Sequence, residues 1–354
     1  MNSFMKKALV VLLCVGLLGF AFAACGNQPA APTPTPAEAA PTTDATPAET
    51  TPEPTINFPT STIEVIVPWG AGGSLDTMGR GVQRHFNLNG RTIVVTNITG
   101  ASGAVGTMEG VHANPDGYRL LLTGIQSILS YSMAGSYDMT IDDLIPIATL
   151  GFDQRVIAVH NDSPFQTFED VVEWAMENPG ELTWGGSGAR GFNEMLSRKI
   201  WDSIGIEANW IPFEGGAAAR TAGLGGHIDV TFLSSCELLG VVNGGEMRAL
   251  ALSMPERSAH YPDTPTLAEL GHDFSGALWA TFFAPLNTPL EIVDMLEAEL
   301  RRVFENPEFY EAIFGMGFEM LFMDREETLE YIARERVLMA DLFELMTGER
   351  PTRG

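Results

Sequence analysis

Hydrophobic and polar positions in this chain fall into short blocks that switch between a two-residue and a 3.6-residue period. Thr62-Ile63-Glu64-Val65-Ile66-Val67-Pro68 is rich in β-branched residues and predicts a strand. Leu75, Met78, Val82 and Phe86 then recur at helical spacing, with Ser74 placed to cap that helix and Asp76 in its first turn. Residues 92–96 predict a second strand, a short helix follows to Ala113, Asn114-Pro115-Asp116-Gly117 turns the chain, and residues 118–123 predict a third strand. Further on, residues 156–159 form an apolar strand, followed by a helix capped by Thr167 and stopped at Asn178-Pro179-Gly180. Leu182-Thr183-Trp184, Ile211-Pro212-Phe213, residues 228–233 and residues 248–253 predict more strands. Helices enter after the first two of these. Extended crossovers are read near residues 148–159 and 278–284. From Pro289 onward, Ile292, Leu296, Leu300 and Val303, and then residues 331–346, pattern as amphipathic helix. Strands alternating with helices over 354 residues predict an α/β protein with a mostly parallel sheet and about two domains.

The first 57 residues follow a different grammar. Lys6 and Lys7 precede an apolar run over residues 8–22, too short for a comfortable membrane span, and Ala21-Phe22-Ala23-Ala24-Cys25 supplies small residues before a cysteine. This resembles a bacterial lipoprotein signal peptide over residues 1–24, with Cys25 the lipidated first residue of the mature chain; Phe22 stands in place of the usual Leu, and simple cleavage without lipidation is the alternative. Residues 26–57 hold eight Pro, eight Thr, four acids and no base, a composition that cannot bury apolar surface and reads as an extended tether. The folded part is expected from residue 58.

Composition narrows the function. There are 20 Lys+Arg against 45 Asp+Glu, for a net charge of −25. Such a surface repels phosphate backbones and anionic lipid, so nucleic-acid partners are excluded and membrane contact is left to the lipid anchor. The three lysines are Lys6, Lys7 and Lys199, so almost every positive charge in the mature chain is an arginine able to fork onto a carboxylate. Of the cysteines, Cys14 lies in the leader, Cys25 is the lipid site and Cys236 is left as a small packed side chain, without an intramolecular disulfide.

Four glycine-rich loops open helices, at Gly70, Gly100, Gly185 and Gly215. A helix start leaves backbone N–H groups unpaired and carries partial positive charge, so each loop suits an anion. Four of them divided between two α/β regions predict a cleft with donors on both walls. Enzyme signatures are missing. No phosphate loop of the Gly-x-x-x-x-Gly-Lys-Ser/Thr kind occurs, and the glycines of 100–106 miss the dinucleotide spacing. Gly185-Gly186-Ser187-Gly188-Ala189 ends in Ala where a nucleophile elbow has Gly, and the six histidines are scattered. No catalysis, cofactor or metal is expected.

Several motifs in order carry a family resemblance: Ile66-Val67-Pro68-Trp69-Gly70-Ala71-Gly72-Gly73-Ser74-Leu75-Asp76, Asn114-Pro115-Asp116-Gly117-Tyr118, Trp184-Gly185-Gly186-Ser187-Gly188, Ile211-Pro212-Phe213, Arg248-Ala249-Leu250-Ala251 and Pro262-Asp263-Thr264-Pro265. Over residues 61–341 the chain resembles the solute-binding proteins of tripartite tricarboxylate transporters, the Bug family. The resemblance implies a type II periplasmic-binding-protein architecture with two Rossmann-like lobes joined by a hinge, lobe 1 from residues 58–155 and 278–354 and lobe 2 from 156–277. It implies a monomeric extracytoplasmic receptor that captures a small organic di- or tricarboxylate and delivers it to a two-subunit membrane permease. A ligand sensor without a transporter, or a receptor for a non-carboxylate solute, is the alternative. By the same resemblance the ligand meets Trp69, Ala71, Gly72, Gly73, Ser74 and Asp76 on one wall and Gly186, Ser187 and Gly188 on the other. Arg190 stands where the family has a small residue and is placed as a second carboxylate clamp, the alternative being a solvated arginine that pairs with Glu194 four residues on. Glu194, Glu214 and Leu233 depart from the family's usual His, Lys and Asp.

Overall fold

Among residues 56–135, 137–189, 191–272 and 275–352, which the computed structural model describes, apolar β-branched runs build nine strands. The leader, Cys25, the tether as far as residue 55, and Arg190 lie outside the described residues. In chain order the first elements are β1 (Ile63–Val67), α1 (Ser74–His85), β2 (Ile93–Asn97), α2 (Ala104–Val111), β3 (Arg119–Gly124) and α3 (Ile125–Ala134). The middle elements are β4 (Leu144–His160), α4 (Phe168–Glu177), β5 (Leu182–Ser187), α5 (Phe192–Ile204), β6 (Ala208–Phe213), α6 (Gly216–Leu224), β7 (Val230–Ser234), α7 (Ser235–Asn243) and β8 (Met247–Leu252). The chain closes with β9 (Ala277–Pro285), α8 (Leu290–Phe304), α9 (Pro307–Phe314) and α10 (Arg325–Thr347).

The strands pair in the order β2-β1-β3-β9-β4-β7-β5-β6, with β8 beside β4. Pairing is parallel within β2-β1-β3 and within β7-β5-β6. It is antiparallel wherever β4 or β9 takes part, so the sheet is mixed and not mostly parallel. The reason lies in the two extended crossovers, which are full strands of the sheet. Residues of β4 up to Gln154 pair with β9, and from Arg155 onward the same strand pairs with β7 and β8. Register slips between Thr149 and Phe152 and between Ile157 and Ala158 mark bulges that bend β4 along its course. Gly151 sits inside the Thr149–Phe152 irregularity at φ +147°, where a Cβ would press on the Glu319 carbonyl oxygen.

Helices pack as their periodicity dictates. In α8 the stripe read from the sequence, Ile292, Leu296, Leu300 and Val303, is buried, together with Val293 and Glu299. The Thr167 hydroxyl caps α4 by accepting from the Asp170 N–H. In α1, by contrast, the N-cap is Gly73 and Ser74 is the first helical residue. Asp76 turns back and accepts the Gly72 N–H instead, at 2.8 Å. Helix α3 escapes sequence reading because it is buried nearly all round, polar residues included, and so has no amphipathic stripe. Its Gln126 accepts from the Trp279 N–H of β9 and donates to Glu335 of α10, tying three elements together.

Candidate functional site

The carboxyl ends of β1, β3, β5, β6 and β7 are each followed by a helix, and a cavity of about 100 Å³ lies where those connections meet. That is room for several waters, the scale of a small solute. Ligands in open α/β sheets take this position because helix starts face it. Helices α1, α5 and α6 present Gly73–Ser74, Gly191–Asn193 and Gly216–Ala217 to the cavity, and their N-caps are glycines without a side-chain cap. Helices α4, α9 and α10, away from the cavity, are capped by Thr167, Asn306 and Asp324. The uncapped starts therefore leave first-turn N–H donors for whatever enters.

Of the residues expected at the ligand, Trp69, Ala71, Gly73, Ser74, Ser187 and Gly188 line this cavity. Gly72, Asp76 and Gly186 do not. The Asp76 carboxylate is spent on the loop itself: it accepts from Gly72 and from Arg80, Arg80 reaches Asn97, and Asn97 donates to the Trp69 carbonyl at 2.9 Å. Burial alone raises the Asp76 carboxyl, but these hydrogen bonds outweigh it and hold it below the ordinary range. Gly186 is a packing position, since a Cβ would lie 2.6 Å from the Trp210 ring and 2.7 Å from the Phe232 carbonyl oxygen. On the opposite wall Asn193 donates to the Ser187 hydroxyl oxygen at 2.7 Å, so the Ser187 O–H points its proton elsewhere and is available as a donor. Its loop is held by Gly188 N–H to the Phe213 carbonyl and by the Trp210 indole to the Gly188 carbonyl. The Gly100 loop stays off the cavity wall. Its Ser102, at φ +55°, exchanges two hydrogen bonds with the main chain of Ala189 and bridges the loops after β2 and β5.

Sequence reasoning missed Arg155 and Glu237. Arg155 lies on β4, lines the cavity and is only 4 % exposed. Among the described residues its guanidinium makes no hydrogen bond and no ion pair, and its Nε is fully buried without a partner. A buried, unpaired guanidinium is costly, and such groups persist where something else supplies the anion. Two residues earlier on the same strand face, Asp153 is completely buried and accepts from the Cys236 N–H at the start of α7. Burial, with the Glu237 charge adding and the Arg155 charge opposing, pushes the Asp153 carboxyl up to about 7. It is thus only partly ionised at neutrality and cannot fully neutralise Arg155.

That raised value has a measurable consequence. The folded chain holds the Asp153 proton more tightly than the unfolded chain, so this group's stabilising contribution is complete below about pH 4 and fades as the pH rises towards 7. Asp153→Asn, which mimics the protonated acid, should gain stability relative to the parent between pH 5 and 7.5. Melting curves at the two pH values decide it, and parallel pH dependence in both proteins counts against the assignment.

A mixed α/β sheet whose helix starts converge on a solute-sized cleft, with an unpaired cation at its base, is the architecture of a periplasmic solute-binding protein. Residues 80–344 match the tripartite tricarboxylate transporter family receptor, and the chain belongs to that family. It is 27% identical over 283 residues to the protein BugT of Bordetella pertussis, an alignment covering 78% of this chain and 87% of BugT. A TctC solute-binding protein from Polaromonas, 28% identical, superposes with a TM-score of 0.64 over 81% of this chain and 99% of its own. MatC of Rhodopseudomonas palustris, solved with bound malate, shares the fold at 21% identity with a TM-score of 0.74, over 81% of this chain and all of that one (100%).

Proposed function

We propose that this protein captures a small organic carboxylate in the cleft between its uncapped helix starts and delivers it to a two-subunit membrane permease, working as a monomer. The observation that carries this reading is Arg155, a buried cation without a hydrogen-bonding partner among the described residues, in a cavity ringed by main-chain donors. Membership of the receptor family and the malate held by MatC support the same ligand class. No helix among the described residues is long and apolar enough to cross a membrane. In this proposal the chain is anchored through Cys25 and the Pro/Thr tether gives it reach. Cys25→Ala should then leave the protein in the soluble fraction or unprocessed. A mutant that is membrane-bound and mature in size rules the anchor out.

Capture by closure needs a hinge, and β4 and β9 are the strands that pass from one half of the sheet to the other. We place the hinge there, with residues 58–155 and 278–354 moving against 156–277. The Ser102–Ala189 bridge joins a loop of the first proposed lobe to a loop of the second, as a contact made on closing would. The decisive experiment is a thermal-shift screen of organic acids on the whole chain. A ligand at a hundredfold excess over its Kd adds about 2.7 kcal/mol of native stability, several degrees of melting temperature. A complete absence of shift across mono-, di- and tricarboxylates, including those bearing hydroxyl or amino groups, defeats the receptor reading.

A further inference from the structure

We propose that the ligand is a small zwitterion, its carboxylate on Arg155 and its ammonium on Glu237, so that the site selects an α-amino acid over the acid that lacks the amine. The inference rests on the carboxylate-receptor reading and narrows it. Among the described residues that line the cavity, Arg155 and Glu237 are the only charged ones. Arg155 is buried and makes no ion pair among the described residues, so it and Glu237 attract across one cavity without touching and each keeps room for a ligand charge. Glu237 uses Oε2 to accept from the Ser234 hydroxyl at 3.0 Å and the Ser234 N–H at 3.4 Å. Its Oε1 accepts no hydrogen bond from a described residue.

The surroundings are shaped to keep that oxygen in the cleft. A Cβ at Gly216 would overlap the Glu237 carboxyl group, and one at Gly73 would lie 3.9 Å from Oε1. The protein's own carboxylate thus occupies the space between the starts of α1 and α6, where a second carboxylate of a ligand would otherwise find donors. A dicarboxylate entering this site must bring like charge against Glu237 in a cavity of about 100 Å³. A zwitterion meets opposite charge at both ends, and its ammonium supplies the donors that Oε1 lacks.

Calorimetry on the full chain tests this with matched pairs: L-alanine against propionate and lactate, and L-aspartate against succinate and malate. The expected result is that at least one amino acid binds tenfold or more tightly than its amine-free partners. Glu237→Gln keeps an acceptor for Ser234 and hence the cap of α7. It should cut that preference at least tenfold without weakening the amine-free acids. The proposal is overturned if an amine-free acid binds as tightly as its amino counterpart, or if Glu237→Gln leaves the ratio within threefold. Binding by none of the panel overturns the carboxylate reading itself, a different result from binding with the wrong preference.

Discussion

Replacing Arg155 by methionine is expected to abolish the ligand-induced rise in melting temperature while leaving the unliganded protein at least as stable as the parent. Methionine fills much of the same space and brings no charge that must be kept from water. Among the described residues the buried guanidinium has no hydrogen-bonding partner to lose, so its removal relieves a desolvation cost that its attraction to Asp153 and Glu237 offsets only in part. Burial already pushes its pKa down against the pull of Asp153 and Glu237, which is the same cost seen from the proton's side. Binding should suffer in proportion. Losing a buried charged contact costs roughly 2–5 kcal/mol, or about thirty- to a few thousandfold in Kd. A variant that binds within threefold of the parent, or that melts several degrees lower without ligand, would show that Arg155 serves the fold and not the solute.

Trp184→Ala should be the most destabilising single change at the base of the cleft. The ring is 0 % exposed, stands edge-on to Trp201 at 5.7 Å and tilts against Phe232 at 6.0 Å. Truncating a fully buried tryptophan leaves a large cavity and costs about 3–5 kcal/mol. Trp184→Phe makes an informative control. The indole Nε1 is buried without a hydrogen-bond partner, so phenylalanine deletes an unsatisfied donor along with some volume. Denaturant titration should place the phenylalanine variant much closer to the parent than the alanine variant. Equal losses in the two would mean that the second ring of the indole, not the filling of the cavity, carries the stability. Because Trp184 immediately precedes Gly185-Gly186-Ser187 on β5, the alanine variant should also bind more weakly through a looser loop.

Elements with an undivided stripe were legible from the chain alone. Strand β1 and helices α1, α4 and α8 carry their period in the open, and the glycine loops marked where the cleft would lie. Two kinds of information were not. Helix α3 packs Gln126, Ser127, Ser130 and Ser132 inside the protein, so its polar positions give no outward face. The triplet Asp153-Gln154-Arg155 interrupts an apolar run, so residues 148–159 read as an extended crossover with strand pattern only from Val156. The structure carries the strand straight through the triplet. Charged residues are tolerated at the centre of a sheet where a cavity reaches them, and that cavity is a tertiary fact. Arg190 drew attention because its glycine-rich loop announced itself. Arg155 lay within a strand that did not.

The long β4 strand carries both the bends between the two halves of the sheet and the guanidinium of the cleft. A group on the axis of a rotation keeps nearly the same distance to both bodies throughout the swing. With the hinge proposed above on β4, Arg155 is placed like the fulcrum of a pair of tongs: it would hold a solute equally well whether the arms are apart or together. Equal affinity for two states shifts no equilibrium, however strong the grip. The force that draws the arms in must come from the tips, from Ser74 on one side and Ser187 with Asn193 on the other, whose reach to a common solute changes most with angle. Affinity and closure are thus carried by separate residues, and a substitution can weaken one while sparing the other.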